Sequence, residues 1–240
     1  MKSLSFSTLI NNALEDFFGL RIQPSADSRL NSVRKKIFLE RKTKFVIDVG
    51  ANQGQYGKKI RLQGYKEKIT SFEPTSKFIE LEKNTHEENN WEIIHKGLGN
   101  FVGKTEINIS SNDGLSSSLK EPKEILNQGF GITFSNKEVV DIITLDSFLE
   151  NKDLNNLYLK LDVQGSEMEV LQGALKSLKR ISVVEFESAL IQLYQGESNH
   201  YEIANLLLEN GFKPRQLVAT HWSESGETIS LDAIFERVTI

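Results

Sequence analysis

Phe45-Val46-Ile47-Asp48-Val49-Gly50-Ala51-Asn52-Gln53-Gly54 is the stretch that decides the fold. It opens as a nearly apolar run, the pattern of a strand buried on both faces of a parallel sheet. It then turns small and polar. Gly50 and Gly54 bracket a loop that lets the backbone approach a ligand closely, and a helix is predicted from Gln55 or Tyr56. Strand, glycine loop and helix in that order form the nucleotide-binding end of a doubly wound sheet.

Spacing discriminates between nucleotides. A dinucleotide fingerprint needs G-x-G-x-x-G, because its second glycine lets the pyrophosphate lie against the backbone. Here the glycines fall at 50, 54 and 57, and Asn52 stands where that second glycine belongs. The strand ends on an acid, Asp48, a poor neighbour for phosphates but a good one for an ammonium and a sulfonium. That combination is S-adenosylmethionine. The next strand ends Ser71-Phe72-Glu73-Pro74, placing Glu73 nineteen residues beyond Gly54, about where an acid takes ribose hydroxyls. A glycine turn flanked by a solvated Asp and Glu is the plain alternative. A nicotinamide-dependent oxidoreductase is the alternative on the same architecture.

Composition sets the outer bounds. The 240 residues carry 29 Lys and Arg against 33 Asp and Glu, a formal charge of -4, so nucleic acid is a poor partner. There is no cysteine, which removes disulfides, thiolate zinc sites and Cys nucleophiles. The N-terminus has no signal-peptide pattern and the chain no long apolar run, so no membrane span is predicted and a cytoplasmic location is expected.

Downstream of residue 45, apolar strands alternate with helical patterns, which implies a parallel sheet with helices on both faces. Strands are predicted at 45–49, 69–73, 91–95, 139–144, 157–163, 181–187, 212–220 and 233–238, the last two as a hairpin, with an added strand or small hairpin at 102–109. Residues 110–136 form the longest irregular segment, rich in Ser, Asn, Asp and Gly. Upstream, residues 1–44 read as a helical extension: one helix over 4–18, a break at 23–28, and a basic helix over Leu30–Arg41. Packing on one sheet edge is the expectation for these helices; a lid or a dimerisation arm, and with it a homo-oligomer, is the alternative. Lys35-Lys36 and Arg41-Lys42 read as a solvated face.

Several motifs then converge. F-V-I-D-V-G-A-N-Q-G at 45–54, S-F-E-P at 71–74, S-S-S-L at 116–119, T-L-D-S-F at 144–148 and L-K-L-D-V-Q-G-S-E-M-E-V-L-Q-G-A at 159–174 together resemble the FkbM family of S-adenosylmethionine-dependent methyltransferases. Gln164 departs from the glutamate common in the family. The resemblance covers roughly 44–190. It implies a class I, Rossmann-like α/β fold with a seven-stranded mixed sheet over 45–240, and O-methylation of a sugar, glycan or glycosylated small molecule. A binding partner that has kept the pocket and lost catalysis is the remaining alternative.

Ligands of open α/β sheets lie beyond the carboxyl ends of the strands. The expected cofactor contacts are therefore Asp48, Gly50, Ala51, Asn52, Gly54 and Tyr56 from the first unit, and Glu73 and Pro74 from the second. Gly97 and Leu98 follow from the third, Ser117 and Ser118 from the polar segment, and Asp162 is shared with the acceptor. Methyl transfer to a hydroxyl needs a proton acceptor, and the candidates are Asp162 first, then Glu185, Glu187 and His221. Tyr194 and Trp222 are candidates to stack a sugar ring. His200 reads as solvent-facing. Asp162, Glu185 and Glu187 offer oxygen ligands for a divalent ion, but no Asp-Asp pair or His cluster supports them, so no metal is expected.

Overall fold

A computed structural model describes residues 25–238. The helix read over 4–18 lies outside the described residues. The Leu30–Arg41 helix begins earlier, as α1 (Ala26–Arg41), because Ser25 caps it by accepting from the Ser28 N–H at 3.2 Å.

The large sheet has seven strands. In chain order these are β1 (Phe45–Val49), β2 (Lys68–Phe72), β3 (Trp91–Ile94), β7 (Leu157–Leu161), β8 (Ile181–Ala189), β9 (Phe212–Trp222) and β10 (Thr228–Arg237), in spatial order β3-β2-β1-β7-β8-β10-β9. The first five run parallel, and β10 and β9 add antiparallel to β8. Strand order reverses at β1, with β2 on one side and β7 on the other, so a crevice opens beyond its carboxyl end. β1 and β7 are buried almost throughout, which is why both read as continuous apolar runs.

Both faces are covered. On one, α1 and α2 (Gln55–Leu62) bury Leu30, Ile37 and Ile60 against Val46, Tyr158 and Val183 of the sheet. Each such side chain contributes about 1.5–3 kcal/mol on burial. On the other, α5 (Leu145–Leu149), α6 (Glu167–Gln172) and α7 (His200–Glu209) cover Ile47, Leu159, Leu161, Val184 and Phe186. The α1 helix packs over this face toward the β9 edge of the sheet, its Leu30, Arg34 and Ile37 forming one inward stripe. Lys35 and Lys36 are exposed as expected, whereas Arg41 is half-buried and donates to Glu236 and to the Arg237 carbonyl.

A second sheet of three strands corrects the sequence reading. Residues 139–144, expected in the main sheet, belong to β6 (Phe134–Ile143), which pairs antiparallel with β5 (Gly103–Ser110) and parallel with β4 (Gly97–Leu98). The physical reason is visible in its burial: β6 alternates, with Val139 68% exposed and Val140 and Ile142 buried. That pattern suits a sheet covered on one face. The irregular segment before it holds α4 (Glu124–Phe130). Between β2 and β3 lies α3 (Phe78–Thr85).

Candidate functional site

The loop after β1 is shaped by backbone sterics. Gly50 has φ +76°, and a Cβ there would lie 1.9 Å from the Asp162 carbonyl oxygen, so the chains leaving β1 and β7 touch through a bare Cα. The N–H groups of Gly50 and Ala51 both donate to the Phe72 carbonyl, at 3.0 and 3.1 Å. Asn52 sits at φ +48°, a conformation asparagine tolerates better than most residues. Its N–H donates to the Glu73 carboxylate at 2.8 Å. The other Glu73 oxygen accepts from the Thr75 N–H at 2.9 Å and hydroxyl at 2.6 Å. Burial raises the Glu73 pKa despite these donors.

Around this loop is an open cleft. Gly50, Ala51, Asn52 and Tyr56 line it from the first unit, Glu73 and Pro74 from the second, and Gly97 and Leu98 from the small sheet. Ser117 and Asp162 complete the expected set there. The polar segment folds over the first loop: Asp113 accepts from Gln53 at 2.9 Å and pairs with Lys77 at 2.6 Å, while the Asn52 amide donates to its carbonyl at 3.2 Å.

Three expected contacts stand elsewhere. Asp48 is fully buried and does not line the cleft, because β1 runs one residue past it and its side chain points into the α1–α2 face. There it accepts from Ser71 at 3.2 Å and lies 3.6 Å from the Lys160 ammonium. Burial raises its pKa, and Lys160 works against that. Gly54 heads α2 with Leu81 beside it, outside the lining. Ser118 is buried and donates to the Gln164 carbonyl at 2.6 Å, so it holds the loop after β7.

The acids of β7 and β8 separate by surroundings. Asp162 accepts from Lys160 at 3.1 Å and from the Gln164 amide at 2.8 Å. That same amide donates to Glu187 at 3.2 Å, which ties the two carboxylates together. Burial raises the Glu187 pKa, and Asp162 and Asp232 raise it further. Its second oxygen lies 3.9 Å from His221 Nδ1. His221 belongs to β9 rather than to a loop, and its Nδ1 is 2.8 Å from the Ser230 hydroxyl. Glu185 is a correction. It is 6% exposed, lies outside the cleft lining, and accepts four hydrogen bonds, two from Arg34 and one each from Tyr56 and Tyr158. Burial opposes its charge, but Arg34 outweighs it and the pKa falls. A carboxylate so stabilised is a poor base.

Two further residues do other work than expected. Tyr194 is buried and donates to the Ser116 carbonyl at 2.8 Å, so it offers no stacking face, whereas Trp222 is 56% exposed. His200 is buried against the Ser188 hydroxyl at 2.9 Å.

Sequence reading missed Lys160, Arg34 and Gln164. The signal for Lys160 was present: a lone cation inside the strand Leu-Tyr-Leu-Lys-Leu must meet charge when the strand is buried. Arg34 carried no such mark, since its partner is 151 positions away. Among the described residues, no group of three or more acids or histidines is placed to hold a metal ion, and no helix is long and apolar enough to cross a membrane.

Comparison with known proteins agrees with this geometry. Residues 48–214 match the model of the methyltransferase FkbM domain. Over 177 residues the chain is 24% identical to the 2-O-methyltransferase NoeI of Sinorhizobium fredii, covering 70% of this chain and 73% of that one. The fold is also similar to that of an rRNA methylase from Streptococcus thermophilus, at TM-score 0.51 and 10% identity over 91% of this chain and 99% of the other.

Proposed function

The chain belongs to the FkbM methyltransferase family, and on that premise we propose that it transfers the methyl group of S-adenosylmethionine to a hydroxyl of a sugar, glycan or glycosylated small molecule. One observation carries the proposal: a cleft beyond β1 and β2 is lined by Asp162 and Gln164, and the Gln164 amide links Asp162 to Glu187, which lines a smaller pocket on the other side of Gln164. Glu73 faces the cleft with an ionisable carboxylate that keeps acceptor capacity, on Oε2, for a ribose hydroxyl beyond its three loop donors. Asn52 and Tyr56 form the wall beside it.

When bound, S-adenosylmethionine supplies a methyl group on a sulfonium, open to in-line displacement. The chain's own residues position the acceptor and take its proton. Glu187 is the proton acceptor in this proposal, because burial and neighbouring carboxylates raise its basicity. Asp162, held by Lys160 and Gln164 and lining the cleft, orients the acceptor hydroxyl instead. General-base assistance of this kind is worth about 10²–10⁴-fold. Support for an oxygen acceptor comes from the 2-O specificity in the relative's name.

The test is calorimetric titration with S-adenosylhomocysteine and, in parallel, NAD, followed by radiolabelled methyl transfer to a panel of sugar glycosides. The proposal requires binding of the first and label in a glycoside. Binding of NAD alone would overturn the cofactor assignment; binding of S-adenosylhomocysteine without transfer to any hydroxyl would make the chain a silent partner.

A further inference from the structure

Where β1, β7 and β8 lie side by side, Asp48, Lys160 and Glu185 are level neighbours on one face of the sheet. Adjacent strands are roughly 4.8 Å apart, so Lys160 stands between two buried carboxylates, with Asp162 ahead of it on its own strand. Its ion pairs, however, go to Asp162 at 3.1 Å and Asp48 at 3.6 Å, and its ammonium lies 5.2 Å from the centre of the Tyr56 ring. Glu185 is satisfied from the other side. Arg34 of α1 donates to both its oxygens from one guanidinium edge, Nε and Nη2, while its guanidinium lies 5.0 Å from the centre of that same Tyr56 ring. The Tyr56 and Tyr158 hydroxyls complete the set at 2.9 and 2.6 Å. Arg34 is 3% exposed and lies outside the 48–214 family match.

The geometry points to Arg34 as a positioning residue for the cleft: by neutralising Glu185, the N-terminal helix leaves Lys160 to Asp162 and so fixes the cation and the Tyr56 ring that line the cofactor cleft. Without Arg34, Glu185 would be a buried carboxylate whose nearest remaining cation is Lys160. The ammonium would then swing to β8, away from Asp162 and from the cleft. The other charges facing this cation are Asp48 from β1, which holds it from that side in either case, and Asp232 from β10, so the competition for its remaining donors is between Asp162 and Glu185.

The inference rests on the methyl-transfer reading only for its binding probe, so its first readout needs no cofactor. Crystal structures of Arg34→Gln, Arg34→Lys and Arg34→Gln/Glu185→Gln would show where the Lys160 ammonium lies. It should leave Asp162 for Glu185 in the first and return to Asp162 in the other two. In parallel, S-adenosylhomocysteine affinity should fall at least tenfold in Arg34→Gln and stay within threefold of the parent in the other two. Lys160 still paired with Asp162 in Arg34→Gln would overturn the inference. Should Arg34→Gln fail to fold, a folded Arg34→Lys or double variant with Lys160 displaced from Asp162 would overturn it equally. A parent protein that binds no S-adenosylhomocysteine would sink the functional reading and leave the crystallographic comparison to decide this one.

Discussion

Replacing Gly50 with alanine separates backbone strain from loss of the site. The new Cβ would lie 1.9 Å from the Asp162 oxygen and 2.9 Å from its carbonyl carbon, where a comfortable C···O contact is roughly 3.3 Å. The atoms in the way are backbone, so the loops after β1 and β7 must part by more than 1 Å. The positive φ costs about 1–2 kcal/mol more in its own right. Gly64 provides the control, since it has φ +94° and nothing within 4 Å of its Cβ position. Gly64→Ala should therefore show the conformational cost alone, lowering Tm by about 2–8 °C in a chain of this size. Gly50→Ala should melt lower still. A displacement near 1 Å in a site of this kind can cost about 10²-fold, so S-adenosylhomocysteine affinity should fall about a hundredfold, near 2.7 kcal/mol. Differential scanning calorimetry and titration calorimetry on both variants decide the matter. Binding by Gly50→Ala within threefold of the parent, with a Tm no lower than that of Gly64→Ala, would refute the contact between the two loops.

Three other outcomes are expected. Glu73→Gln loses the charge on hydrogen bonds worth about 1.5–3 kcal/mol, so S-adenosylhomocysteine affinity should drop roughly ten- to a hundredfold; an unchanged Kd would remove Glu73 from the ribose. Glu187→Gln should cut turnover by about 10²–10⁴-fold with little change in cofactor affinity. Because the Glu187 pKa is raised, the group accepts a proton only above the ordinary glutamate value of about 4.3. The parent's kcat/KM should therefore fall with pH from above that value, and a profile flat down to it would refute the role. Finally, burial lifts Glu167 to about 8 and Asp232 to about 7, while Glu185 is lowered. Between the ordinary carboxylate range and about pH 8 the folded chain then binds more protons than the unfolded one, so stability should decline as pH rises across that window. A Tm rising from about pH 6 to about pH 8 would contradict it.

The cleft was legible because its parts are local. Gly50, Asn52 and Glu73 lie within two strand–loop units, where a turn conformation or a strand end forces the residue type. The same local logic misjudged Asp48. Which way a strand-end acid points depends on whether the strand stops before or after it, and hydrogen bonds from neighbouring strands decide that. β6 went astray for a related reason: an alternating strand fits either sheet, and the choice rests on what covers its face.

By itself, then, the sequence determined the parallel α/β core, the glycine loop after β1 and the carboxylates at the strand ends, since each follows from hydrophobic run length and from glycine and acid placement a few residues apart. Tertiary structure decided which of those carboxylates keep their basicity. Glu185 and Glu187 are two residues apart on one strand, yet one is neutralised by an arginine 151 positions upstream and the other crowded by Asp162 and Asp232. Charge acts through space across the sheet, and no local pattern encodes that distance.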